Sequence, residues 1–320
     1  MSMLHPTFIG LIAFLFTLLT ACEAREDPSP GAPAEPPQAQ AQNDAEIVAA
    51  AMPDTGETAL RYSELMAFAR EQNLHERPIG EVLMALGLQF RGRPYVVGPL
   101  DGFGREVLVC RLDAFDCFTF LEAMLAAARG VAVEDYSFDA YVQRTQEQRY
   151  RGGEMGDYCS RLHYYTEWIY DNEKKGLVRD VTREVGGVPF EKEYGFMSAN
   201  RSEYAALAED DDMYRCIQDV EARLNREVNL FYIPQDRIRD SYDRLQPGDL
   251  IATATHIDGL DVTHTGMVYK GEDGSTGLLH ASTNGGVIIS PDLQDYVQGN
   301  RVQIGIIVAR AVEPDEPADS

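Results

Sequence analysis

Basic residues are scarce in this 320-residue chain: 28 Lys and Arg stand against 52 Asp and Glu, a formal net charge of −24 at pH 7. Nucleic acids and anionic lipid surfaces are held by clustered positive charge, so neither is an expected partner. Cysteines paired for metal or redox work are also missing. Cys22, Cys110, Cys117, Cys159 and Cys216 form no C-x-x-C, which excludes a zinc ribbon and a thioredoxin-type dithiol. No His-Glu-x-x-His occurs among the six histidines. A metal site built from His256, His264 and His280 would have no acidic partner at a familiar spacing, so no metal is expected, and no motif asks for a cofactor. No apolar run reaches the roughly 20 residues that a membrane-crossing helix needs.

The longest apolar run, Phe8 to Thr20, leads through Leu19-Thr20-Ala21 to Cys22. A short apolar stretch followed by small residues reads as a signal peptide, residues 1–21. It resembles a bacterial lipobox, which implies acylation of Cys22 and a membrane held through that lipid. Met1 to Pro6 departs from the pattern in carrying no Lys or Arg. Glu23 after Cys22, rather than an aspartate, leans by analogy towards the periplasmic face of the outer membrane. Residues 22–54 are rich in Pro, Ala, Gln, Asp and Glu, cannot bury enough apolar surface to fold, and read as a disordered tether. The folded body is expected over 55–312, with a large helical insertion at about 130–240 and a disordered tail at 313–320. Export permits disulfides, and Cys159 with Cys216 is one candidate bridge, although spacing does not fix the connectivity of four cysteines.

Helical spacing of apolar residues covers Arg61 to Asn73, with Ser63 as cap, then Arg77 to Leu88, Phe138 to Gln148, Leu162 to Lys175 and Met213 to Leu224. A further helix starts near Cys117, where Phe120, Leu121, Met124, Leu125 and Ala128 share a face and Asp113 and Asp116 stand at cap positions. From Pro247 onward the pattern turns to short strands: one from Pro247-Gly248-Asp249-Leu250-Ile251, then Thr263 to Lys270, Leu278 to Ser282, Gly286 to Ser290 and Val302 to Ala309, a meander. Helices followed by antiparallel strands indicate an α+β domain.

A thiol attacks an acyl carbon as thiolate, and a helix N-terminus favours that charge. The same backbone N–H groups can hold an oxyanion. Cys117 meets that description, although most lone cysteines are simply small buried residues. A base is needed as well, and a third group to orient it. His264 and His280 lie on successive expected strands that can set one imidazole beside the other. In the insertion, Arg161, His163 and Trp168 bring a carboxylate-binding fork, a polar ring and the sole tryptophan onto one segment, a candidate substrate surface. The plainer alternatives are a core Trp168 and an Arg161 tied up in an ion pair.

Gln89 to Leu100, Asp116-Cys117-Phe118-Thr119-Phe120, Pro247-Gly248-Asp249-Leu250, His264-Thr265-Gly266-Met267-Val268-Tyr269 and Leu279-His280-Ala281-Ser282-Thr283, the last followed by Gly286-Val287-Ile288-Ile289-Ser290, resemble in residue and order the NlpC-type papain-fold cell-wall hydrolases. The resemblance implies a papain-like α+β fold, Cys117 as nucleophile, His264 as base, His280 as third member and Tyr95 as a hydrogen-bond donor beside the thiolate. Phe118-Thr119 departs from the usual Ser-Gly after the cysteine. Asp-Cys-x-Thr-Phe, with the stretch Tyr158 to Asn172, is similar to the N-acetylmuramoyl-L-alanine amidase-like branch. That branch implies a peptidoglycan or muropeptide substrate cut between the muramic lactyl group and L-alanine. The alternatives are a γ-D-glutamyl-diamino acid endopeptidase on the same scaffold and a non-catalytic wall-binding lipoprotein. A lipid acyltransferase on a related permuted fold is disfavoured by order, because there the histidine precedes the cysteine, whereas here Cys117 precedes His264.

Overall fold

The computed structural model describes residues 55–314. The expected signal segment, Cys22, the tether and residues 315–320 lie outside the described residues. The body opens with α1 (Thr55–Glu71), α2 (Ile79–Leu88) and α3 (Cys117–Ala132), continued by α4 (Phe138–Arg149) and α5 (Tyr165–Lys174). Ser63 falls inside α1 and does not cap it. The cap of α3 is local chemistry: Asp116 accepts the Thr119 N–H at 2.7 Å, and Thr119 Oγ1 accepts the Asp116 N–H at 3.0 Å. This reciprocal box satisfies two backbone donors that a helix start would otherwise strand. The five apolar residues expected on one face of α3 are all fully buried. Asp113 instead pairs with Arg111.

The insertion is not purely helical. It carries β1 (Val178–Asp180), β2 (Val188–Pro189), the short helices α6 (Phe196–Ala199) and α7 (Ala205–Ala208), the long α8 (Asp211–Glu227) and β3 (Phe231–Pro234). Both β1 and β3 pair with the last strand of the chain. Long-range pairing of this kind leaves little trace in pieces of two to four residues. A disulfide joins Cys159 to Cys216 on α8.

The strands β4 (Leu250–Thr255), β5 (Val262–Lys270), β6 (Thr276–Ser282) and β7 (Gly286–Ser290) form the expected meander, but β8 (Gln303–Ala311) does not follow β7. The sheet order is β2-β3-β8-β4-β5-β6-β7, all antiparallel where paired. The helix α9 (Leu293–Gln298) carries the chain back across one face, anchored by fully buried Leu293 and Val297. Alternation along the strands sorts the two faces. Ala252, Met267 and Leu279 pack with α1–α5, whereas Ile251, Val268 and Leu278 pack with α9. The body also runs past residue 312: Glu313, assigned to the tail by sequence, accepts the Ile79 N–H at 2.7 Å and caps α2.

Candidate active site

Pairing between β5 and β6 begins at Met267–Leu279, and the β4–β5 register shifts between Thr253 and Ala254. His264 to Gly266 therefore borders the opening of the sheet, beside the head of α3. There His264 Nε2 lies 2.7 Å from His280 Nδ1, and His280 Nε2 lies 3.0 Å from Ser290 Oγ. The rings of His264 and His280 meet edge to face at 4.8 Å, and Tyr296 of α9 packs on both. With Nε2 of His264 committed to His280, Nδ1 is the ring nitrogen left for a reacting group.

Cys117 is the first residue of α3 and half-buried. Thr265, the neighbour of His264 on β5, lies close to its thiol, and the Thr265 hydroxyl there is buried without a hydrogen-bond partner. The thiol thus faces the residue next to the expected base. Burial, then the Asp116 carboxylate, pushes it up to about 12 against the help of Thr265. Burial, then the neighbouring imidazole, lowers His264 to about 3, and burial lowers His280 to about 4. Burial favours the neutral thiol and the neutral imidazoles, against the pull of a helix N-terminus towards thiolate. Desolvation outweighs the helix dipole here.

Tyr95 arrives from the loop before α3. A single bridge to Phe115 places it, and Val287 donates its N–H to Arg93 at 2.8 Å. Gly286 (φ 71°) makes this approach feasible, because a Cβ there would stand 1.9 Å from the Arg93 carbonyl oxygen. The Tyr95 phenol thereby comes close to Cys117 at the head of α3. Burial, then the nearby thiol, raises its hydroxyl far above the ordinary phenol range.

Next to Asp116 and Phe118 lies a cavity of about 210 Å³ whose wall includes Arg161 and His163. Trp168 is not there. It is fully buried, packed on Phe118 and Tyr165, and its expected stacking against substrate is corrected to a core role. An amphipathic helix must turn its largest apolar ring inward, and Trp168 is that ring on α5. Thr265, Ser290, Tyr296 and Asp101 escaped sequence reasoning, since each reaches the site only through the tertiary fold. Among the described residues, no group of three or more His, Cys, Asp or Glu is placed to hold a metal ion.

Comparison with known proteins was made against this geometry. An N-acetylmuramoyl-L-alanine amidase from Bacteroides uniformis is 30% identical with a TM-score of 0.69, the match covering 73% of this chain and 99% of that one. A Bacteroides fragilis protein provisionally named a xylanase is 31% identical with a TM-score of 0.65, covering 70% and 98%. A Legionella pneumophila protein at 18% identity and TM-score 0.58, covering 81% and 96%, shares the fold alone. No curated protein matches the chain. The family model described as AmiA-like, N-acetylmuramoyl-L-alanine amidase-like, matches residues 85–306, and the chain belongs to that family.

Proposed function

We propose that this protein is a cysteine-dependent amidase that opens the N-acetylmuramoyl-L-alanine bond of peptidoglycan or its fragments through a thioester, on a papain-like scaffold. One observation carries the reading: the 2.7 Å contact between His264 Nε2 and His280 Nδ1, on two strands that pack against the helix headed by Cys117. Family membership and the Bacteroides uniformis amidase support the bond type.

The chemistry follows from two neutral partners. As substrate enters, His264 Nδ1 takes the thiol proton of Cys117 while sulfur attacks the amide carbonyl. The Cys117 backbone N–H and the Tyr95 hydroxyl are the donors at hand for the oxyanion. His264 then protonates the departing amine of alanine and later activates water to cleave the thioester. His280, held by Ser290, keeps His264 in the tautomer that leaves Nδ1 unprotonated. Cys22 as the acylated residue would tether this body to a membrane in the cell envelope, at the periplasmic face of the outer membrane. Radiolabelled palmitate incorporated by the wild type and lost in Cys22→Ser tests that part.

The test of function is turnover of a defined disaccharide-peptide followed by product masses. Free disaccharide plus intact peptide is expected, with Cys117→Ala inert and still folded. Products cut inside the peptide would reassign the enzyme as an endopeptidase, and undiminished turnover in Cys117→Ala would end the thioester reading.

A further inference from the structure

The cavity beside Asp116 and Phe118 has two guanidinium groups in its wall, and both are already committed. Arg149 donates Nε to Glu122 Oε2 at 2.8 Å. Arg161, 5% exposed, donates Nη1 to the Leu100 carbonyl at 3.1 Å and Nη2 to Asp101 Oδ1 at 2.7 Å, and its guanidinium lies over the Tyr158 ring at 4.8 Å. Its Nε has no hydrogen-bond partner and faces Glu106 Oε1 at 3.7 Å. A fork flanked by two carboxylates is a poor receptor for a third.

What the wall still offers are acceptors. The Asp101 carboxylate, fixed by Arg161, keeps 61% of its side chain exposed. His163 Nε2 lies 2.7 Å from the Tyr158 carbonyl oxygen, which can only accept, so Nε2 carries the proton and Nδ1 presents a lone pair. Aromatic side chains, Phe118, Tyr158, Tyr164 and Tyr204, complete much of the wall. The volume of about 210 Å³ falls below the about 300 Å³ at which drug-sized pockets begin, so it suits one ring rather than a peptide.

We propose that this cavity is a pyranose subsite, in which Asp101 and His163 accept hydroxyl or amide hydrogens of a neutral sugar ring packed against the aromatic wall. Arg161 is then a positioning residue that aims Asp101 and does not itself bind a substrate carboxylate. The inference rests on the amidase reading, since Asp116 and Phe118 flank Cys117 and place the sugar on the acyl side of the bond cut.

Two readings of the pair give opposite signs on one substitution. Calorimetry on the full chain carrying Cys117→Ala would use methyl N-acetylglucosaminide and, separately, L-alanyl-D-glutamate. The sugar is expected to bind, and adding Asp101→Ala should weaken it about tenfold, the loss of a hydrogen bond to a charged group, with Asp101→Asn between the two. Sugar affinity indifferent to Asp101, or dipeptide affinity that rises when Asp101→Ala frees the Arg161 fork, would overturn the proposal. Turnover is read separately: a wild type that binds the sugar yet cleaves no disaccharide-peptide would end the amidase reading and leave the subsite standing.

Discussion

A Cβ placed on Gly266 would stand 2.9 Å from the Cβ of His280, so the glycine of the His-x-Gly stretch is the space into which the second imidazole's strand settles. Leu278 and the Leu279 carbonyl oxygen crowd the same point at 2.9 Å. Gly266→Ala is therefore expected to push β6 away and open the His264–His280 contact. Misplacement of about 1 Å near the chemistry costs on the order of 10²-fold, and the loss should appear in kcat with KM little changed. Wild-type kcat in this variant would show that the imidazole pair tolerates the shift.

Asp116 both caps α3 and lifts the thiol of Cys117. Asparagine caps a helix as well as aspartate does but carries no charge. Asp116→Asn should keep the fold and lower the thiol, so that iodoacetamide alkylates Cys117 faster, by up to about tenfold for one pKa unit. Mass spectrometry of a timed reaction at pH 7 reads the rate, and an unchanged rate would place the Asp116 charge out of play.

The lowered imidazoles fix the direction of the pH response. An ordinary histidine loses its basic form below about 6.5, whereas His264 at about 3 and His280 at about 4 keep theirs. The acid limb of kcat/KM should lie below pH 5. Stability runs the other way. Above about 6.5 both imidazoles are neutral folded or unfolded; below it the unfolded chain binds protons that the native state refuses, so their contribution falls as pH drops. A limb near 6.5 would mean that solvent reaches the pair in the working enzyme.

Trp168 supplies the contrast between core and site. Trp168→Ala should cost about 3–5 kcal/mol, the price of a buried large ring, measured by denaturant unfolding. The milder Trp168→Phe should leave KM for a disaccharide-peptide unchanged. A KM raised tenfold with stability intact would return Trp168 to the substrate surface.

Much of this could be read along the chain because it is local. The head of α3 is set by Asp116, Cys117 and Thr119 within four residues, and its buried face by apolar spacing over three turns. The β5, β6 and β7 segments announced themselves by alternation, turn glycines and the order of two histidines after one cysteine. Residues such as Arg161 and Trp168 were visible only as residue types, and their types suggested binding before their surroundings were known.

Contacts across the chain were settled elsewhere. Sequence by itself determined where the helix of Cys117 starts and which histidines are candidates to serve it, since capping and periodicity are short-range properties of the backbone. Tertiary structure alone decided that β8 inserts between β3 and β4, that Thr265 comes close to the thiol, and that burial favours the neutral thiol and imidazoles. It also decided that Arg161 spends its fork on Asp101 and that Trp168 lies in the core. Desolvation and pairing depend on everything packed around a group, and no window of neighbouring residues contains that information.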